Sequence, residues 1–343
     1  MPSTMKAVDI KGGTGHADAL FINPDTPIPE AKQGEALVRV KAFGLNRMDL
    51  LQREGQYPLP PHYPKTLGVE FSGTVESVED GGSSDFKPGD AVFGLAYGGA
   101  YAEYIAVSTK MLLHKPEFLS WEQAAGVPET WITATQALFL VGEFAKGKSV
   151  LWHAGASGVS IAGIQLALDA GASAVYATAG SDEKCAFIER ELGATKAFNY
   201  KKLGGEDGKA GWDKQILEAT GGKGVDIIID FIGASYFQQN LNVAARDAHW
   251  VCLGLMGGST LDGVNIGPLL FKRIRIEGTT LRSRDAEYQG KLRDKLAEYI
   301  PHFDKDGKLK VLLDSVFDWE DVIKAHKLME ENKTTGKIIC TIS

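Results

Sequence analysis

SVLWHAGASGVSIAGIQLALDAGA, residues 149–172, reads as a buried strand, a small-residue turn and an amphipathic helix. Gly155, Ser157 and Gly158 would let a backbone approach a pyrophosphate closely. The following helix would aim its unpaired N–H groups and positive dipole end at the phosphates. The glycine fingerprint is incomplete. Its first slot is Gly155, its second Ser157, and its third falls on Gly158 or Ser160. A tight turn in an unrelated α/β protein would look similar, but placement between a strand and a helix, among repeated βα units, favours a dinucleotide. The turn alone admits NAD, NADP or a flavin nucleotide.

Outward from this run, strands and helices alternate. AVYATA (174–179), VDIIIDFI (225–232) and HWVCLGL (249–255) read as strands, and 159–170, 183–192 and 212–220 as helices. Near-continuous Val and Ile runs belong to a parallel sheet covered on both faces, so the expected architecture is α/β, with a doubly wound Rossmann-type sheet. The first 130 residues differ. ALVRVKAFGL (36–45), FSGTVESV (71–78), DAVFGL (90–95) and YAEYIAV (101–107) are short β-patterned runs between turn residues. QYPLPPHYPK (56–65) is too proline-rich for a helix and is expected to be an ordered loop. A charged helical stretch spans Asp285–Phe303. A strand near Val316, a helix over Glu320–Glu331 and a strand over Lys337–Thr341 follow it. These last elements are expected to complete the first domain. The expected division is a β-rich domain over 1–130 and 283–343, and a nucleotide-binding domain over 131–282.

A chain of 343 residues accommodates two domains, and its 44% hydrophobic and 24% charged content is that of a globular protein. A net charge of −7 argues against a general nucleic-acid binder, which would carry a basic face. No apolar run approaches the roughly 20 residues that span a bilayer, and MPSTMKAVDIKGG lacks the apolar core of a secretion signal. A cytoplasmic location is expected. Cys185, Cys252 and Cys340 are odd in number and widely spaced, which fits a reduced compartment. The first 130 residues hold no cysteine, and His16, His62 and His114 lack ligand spacing, so no metal is expected.

The tip of the second strand selects among nucleotides. NAD-binding proteins place Asp or Glu there to hold the ribose 2′-hydroxyl. Here Ala179-Gly180-Ser181 carries no acid, which leaves room for a 2′-phosphate. Lys184 could supply charge and Ser181 a hydroxyl. Asp182 and Glu183 oppose this reading unless they begin the next helix. Lys184 could equally be a solvated helix lysine.

GLNRMDLLQREGQYPLPP, LGVEFSGTVESV, FKPGDAVFGL, VDIIIDFIGASY, CLGLMGG and TTGKII stand in the order of a known family. The chain resembles the medium-chain dehydrogenase/reductase superfamily and, within it, the zinc-free quinone oxidoreductases. The resemblance runs nearly end to end and implies a GroES-like first domain. Zinc-dependent relatives carry a Cys where this chain has Asn46, a His where it has Val69 and a Cys near Glu129. Glu70 matches an acid conserved behind their metal.

The resemblance also implies site residues. Asn46 and Tyr57 line the cleft between the domains near the nicotinamide and are the candidate catalytic residues. Thr133 lies near the cofactor phosphates or ribose, and Ser157, Gly158 and Val159 hold the pyrophosphate. Gly180, Ser181, Lys184 and Tyr200 match a 2′-phosphate pocket, which points to NADPH. Leu255 and Met256 meet the carboxamide through their backbone, and Leu281 lines the far side of the ring. Simple core packing is the competing reading for these three. Ser160, where near relatives carry glycine, is expected to loosen the strand–helix contact.

The implied function is metal-free, NADPH-dependent reduction of a small-molecule quinone. Quinones gain aromaticity on reduction, so proximity and orientation suffice. The alternatives are reduction of activated C=C bonds in enals or enones, and a weakly catalytic NADPH-binding protein of the lens-crystallin kind. A homodimer through the nucleotide-binding domain is expected, because FKRIRIEG (271–278) should form a sheet edge. No membrane partner is expected.

Overall fold

The computed structural model describes residues 3–57, 59, 63–202, 211–304 and 307–343. The chain forms two units, Met1–Ile132 with Arg284–Ser343, and Thr133–Ser283.

The second unit is built on a six-stranded sheet. In spatial order its strands are Lys196–Asn199, Ala174–Ala179, Ser149–Trp152, Val225–Asp230, Ala244–Cys252 and Arg275–Gly278. All neighbours run parallel, with Val150 opposite both Val175 and Ile227. The first strand in sequence therefore lies centrally, and the order reverses beside it. That reversal is where doubly wound sheets bind ligands. The helix Gly158–Asp169 returns over the first strand, and Asp182–Arg190 over the second. Trp212–Ala219 and Phe237–Val243 contribute Trp212, Ile216, Leu241 and Val243 to a core that includes Leu151, Phe198 and Trp250. Removing each such side chain from water contributes about 1.5–3 kcal/mol.

Two boundaries differ from the sequence reading for a shared reason. The fourth strand ends at Asp230 rather than Ile232, because the Asp230 carboxylate accepts the N–H groups of Ile232 (2.7 Å) and Gly233 (3.2 Å). Gly233 then turns at φ +80°, which only glycine adopts readily. The fifth strand begins earlier, at Ala244, and stops at Cys252, and Leu253 donates back to the Asp230 carbonyl. The short helices Phe237–Val243 and Gly267–Phe271 have no clear sequence period.

The first unit carries a seven-stranded sheet. Its main path runs Leu313–Asp318, Lys337–Thr341, Glu35–Gly44, Glu70–Glu79, Ala91–Leu95 and Leu112–His114, and Tyr104–Ser108 also pairs with Glu35–Gly44. The chain's last strand lies antiparallel to Glu35–Gly44, with Ile339 opposite Gly44. This pairing brings Lys337 beside the end of that strand. Thr4–Ile10 and Leu20–Pro27 form a separate antiparallel pair. The charged stretch becomes a helix over Ala286–Ala297, capped by the Asp285 carboxylate on Tyr288 N–H (2.8 Å). It stops short of Phe303, and a 3-10 turn containing Pro301 follows. The expected loop over 56–65 lies partly outside the described residues, because Pro58, Pro60, Pro61 and His62 are not among them. Among the described residues, no helix is long and apolar enough to cross a membrane.

Candidate functional site

The strand Ser149–Trp152 delivers the chain into the turn His153–Ser157. Ala154 takes φ +50°, and Gly155 packs so tightly that a Cβ would come within 2.8 Å of Ala177 Cβ and Ile188 Cδ1. Ser157 caps the helix, its Oγ accepting from Ser160 N (3.4 Å). The N–H groups of Gly158 and Val159, at the first turn, have no acceptor within the helix. Ser157, Gly158 and Val159 thus stand together at a positive helix end.

Ser160 does not loosen this turn. It is fully buried, donates its hydroxyl to the His153 carbonyl (2.8 Å) and accepts from Ser157 Oγ (3.1 Å). The close helix–strand approach falls instead on Gly163, where a Cβ would overlap the Trp152 indole. This glycine lies outside the fingerprint window, so the local pattern carries no signal for it.

A buried polar chain holds the neighbouring strand ends. His153 meets Thr178 Oγ1 through Nδ1 (2.9 Å) and Asn240 Oδ1 through Nε2 (2.7 Å). Asn240 Nδ2 and Trp250 Nε1 both donate to Asp230 Oδ2 (3.2 Å each). The carboxylate orients the Asn240 amide, so Oδ1 faces His153 and Nε2 of the imidazole carries the proton. Burial lowers the His153 pKa and keeps the ring neutral, although the Asp230 charge opposes this.

At the second strand tip, a Cβ on Gly180 would lie 2.8 Å from Tyr200 Oη and 3.5 Å from Lys201 Cε. Gly180 and Tyr200 are therefore adjacent. Ser181 caps the helix Asp182–Arg190 by accepting from Lys184 N (3.2 Å). Asp182 opens that helix, and its carboxylate is bound by Asn199 (2.7 Å) and Lys202. The hydrogen bond from Asn199, then that from Lys202, hold its pKa low. No carboxylate in this strand tip replaces the one that would hold a 2′-hydroxyl.

The remaining expected residues divide. Leu255 and Met256 are 58% and 70% exposed and are not core. Met256 gives its N–H to Phe231 O (3.0 Å), and Leu255 O accepts from Gly258 N (3.0 Å). A carboxamide would have to use the other backbone groups of this pair. Leu281 is buried at 7% exposure. Thr133 is half-buried within the helix Pro128–Thr135.

In the first unit, Asn46 precedes the helix Arg47–Arg53, and its N–H binds Asp49 Oδ2 (2.8 Å). Its Nδ2 donates to Glu70 Oε1 (2.9 Å), and its Oδ1 accepts from Lys337 Nζ (2.8 Å). Lys337 Nζ also lies 2.5 Å from Glu70 Oε1 and donates to Leu45 O (2.9 Å). Glu129 N donates to Glu70 Oε2 (2.9 Å). Gly44 makes room for this carboxylate, since a Cβ there would overlap it. Lys337, some 290 residues from Asn46, carried no local signal in the sequence. Tyr57 is half-buried after the same helix.

These donors do not fit a zinc ion. An amide at Asn46 and the buried apolar Val69 stand at two of the expected ligand positions, and the adjoining Glu70 carboxylate is already bound to an ammonium. Among the described residues, no three His, Cys, Asp or Glu side chains gather in a way that could hold a metal.

Residues 158–298 match the zinc-binding dehydrogenase family, and residues 32–117 match the alcohol dehydrogenase GroES-like domain. The chain belongs to the medium-chain dehydrogenase/reductase superfamily and is an oxidoreductase. It is 30% identical to bovine (Bos taurus) quinone oxidoreductase-like protein 2 over 334 residues, covering 94% of this chain and 89% of that protein. It is 29% identical to Homo sapiens quinone oxidoreductase over 328 residues, covering 95% and 94%. The structure of mycobacterial Rv1454c complexed with NADPH superposes with a TM-score of 0.82 at 28% identity, covering 98% of this chain and 99% of that one.

Proposed function

We propose that this oxidoreductase uses NADPH to reduce a small-molecule quinone without a metal ion. The observation that carries the reading is the acid-free strand tip Gly180–Ser181 with Tyr200 across it. A carboxylate at that tip would repel a 2′-phosphate, whereas a glycine beneath a phenol, with Lys184 on the adjoining helix, accommodates one. The similarity to an NADPH-complexed structure supports the same cofactor.

Bound NADPH supplies a hydride. Gly158 and Val159 would hold its pyrophosphate by backbone N–H groups, with Ser157 capping the same helix end and Thr133 nearby. Leu255, Met256 and Leu281 would bound the nicotinamide. Asn46 and Tyr57 would address the acceptor oxygen with neutral hydrogen-bond groups. A quinone suits them, because it gains aromaticity on reduction and needs little polarisation, and its oxygen can take a proton from water. The named likeness to quinone oxidoreductases supports this acceptor. The chain would work in the cytoplasm as a homodimer joined along the edge strand Arg275–Gly278.

The test pairs two measurements. Titration of NADPH and NADH into wild type and Lys184→Ala should show tighter NADPH binding that the substitution removes; equal binding of both cofactors to wild type would refute the pocket. Turnover with NADPH should be faster on quinones than on enones, and a quinone rate no greater than the enone rate would overturn the acceptor. Tight NADPH binding with no turnover on either would favour a non-catalytic protein.

A further inference from the structure

The Asn46 carboxamide is held at both ends by groups that allow a single orientation. Lys337 Nζ can only donate, so it must face Oδ1, and the Glu70 carboxylate can only accept, so it must face Nδ2. The ammonium's three N–H groups are matched by three acceptors: Asn46 Oδ1, Leu45 O and Glu70 Oε1. Both Glu70 oxygens are likewise occupied, by Asn46, Lys337 and Glu129 N. Lys337 is 6% exposed and Glu70 fully buried, so neither is free to drift. Two hydrogens sit on Nδ2. One goes to Glu70, and the second has no acceptor among the described residues, while Asn46 itself is only partly buried.

We propose that Lys337, paired with Glu70, is a positioning residue that fixes and polarises the Asn46 carboxamide so that its second Nδ2–H donates to the acceptor oxygen. An ammonium on the amide oxygen draws electron density from the nitrogen and makes the remaining N–H a stronger donor. Hydride arriving on a quinone brings an electron pair, and the negative charge gathers on a carbonyl oxygen before water protonates it. A donor already oriented toward the oxygen stabilises that charge without reorganising. The buried pair also explains why a lysine from the last strand is brought to this place, since a buried ammonium is tolerated only where every N–H is matched. The inference rests on the reading that Asn46 addresses the acceptor.

The test measures kcat and KM for 1,4-benzoquinone, NADPH affinity by fluorescence and thermal midpoint. The variants are Asn46→Ala, Lys337→Met, Lys337→Arg, the charge-neutral pair Lys337→Met/Glu70→Gln, and that pair combined with Asn46→Ala. Asn46→Ala and the neutral pair should each lower kcat about tenfold to a hundredfold, with NADPH affinity within about twofold of wild type. The combination should be no worse than Asn46→Ala, and Lys337→Arg should recover much of what Lys337→Met loses. Wild-type kcat in the neutral pair beside an impaired Asn46→Ala would overturn the positioning role. Wild-type kcat in Asn46→Ala would refute the acceptor reading, and the proposal with it. If the neutral pair does not fold, the Asn46 side-chain amide of wild type, labelled with 15N, decides. One of its two proton resonances should move when 1,4-benzoquinone is added to the NADP+ complex, and two unmoved resonances would overturn the proposal.

Discussion

Gly163 faces the indole of Trp152 so closely that a Cβ would overlap three atoms of its six-membered ring. Trp152 is fully buried at the end of the central strand, so the ring has nowhere to retreat. Gly163→Ala should destabilise the protein by about 1–3 kcal/mol, read from urea denaturation. It should also weaken NADPH binding, because the helix that bears Gly158 and Val159 must move. A substitution without effect on either would show that the helix is free to shift.

Ser160 joins the same helix to the turn. Ser160→Ala removes the donor to the buried His153 carbonyl and leaves that oxygen without its partner. A loss of about 1–3 kcal/mol is expected from denaturant midpoints. If Ser160→Ala is as stable as wild type, the bond to His153 contributes nothing.

The strand tip should govern the choice of cofactor. Gly180→Asp places a carboxylate beside Tyr200 Oη. It should weaken NADPH binding by about tenfold to a hundredfold, the range for losing a charge-assisted contact, and affect NADH much less. Tyr200→Phe should act in the same direction with a smaller effect. Isothermal titration with both cofactors checks this, and an equal loss for NADPH and NADH would count against the 2′-phosphate pocket.

Acid should destabilise the fold through buried histidines. His326 accepts from Arg53 Nη1 (3.1 Å), and burial first, then the Arg53 charge, lower its pKa from 6.5 to about 3. Below pH 6.5 the unfolded imidazole binds a proton that the folded one refuses. Stability is therefore fully present above pH 6.5 and declines as pH falls toward 3, by up to about 1.4 kcal/mol per pH unit. The lowered pKa of His153 adds in the same direction. Urea midpoints at pH 7.5 and 5.0 should differ less in His326→Gln than in wild type. An identical pH difference in both would remove His326 from the account.

The edge strand Arg275–Gly278 should join two copies. Its neighbouring charges are engaged at home. Lys272 donates to the carbonyls of Leu241, Asn242 and Ala244, Arg273 binds Asp247, and Arg275 binds Glu143. Next to it Leu270 and Phe271 are 74% and 75% exposed. An edge with bound charges and apolar neighbours is poorly defended against pairing. Sedimentation equilibrium should give twice the chain mass, and Phe271→Glu should lower it. A monomer at micromolar concentration would refute the dimer.

Much of the nucleotide-binding half was legible in one dimension. The run 149–172 declares a strand, a small-residue turn and a helix by local pattern, and the strand tip Ala179-Gly180-Ser181 shows its missing acid in the same way. The parallel sheet follows from Val- and Ile-rich strands at regular intervals, because burial on both faces demands them. Boundaries were less legible wherever a side chain from the strand itself caps its end, as Asp230 does.

By itself, then, the sequence determined the α/β class, the small-residue turn between strand and helix and the acid-free tip, all of which depend on neighbours in the chain. Only the tertiary structure decided that Gly163 rather than Ser160 carries the helix–strand contact, and that Lys337 reaches Asn46 and Glu70. The physical reason is that a buried ammonium and carboxylate must satisfy each other in space, and the strand pairing of Ile339 with Gly44 brings together residues nearly three hundred positions apart.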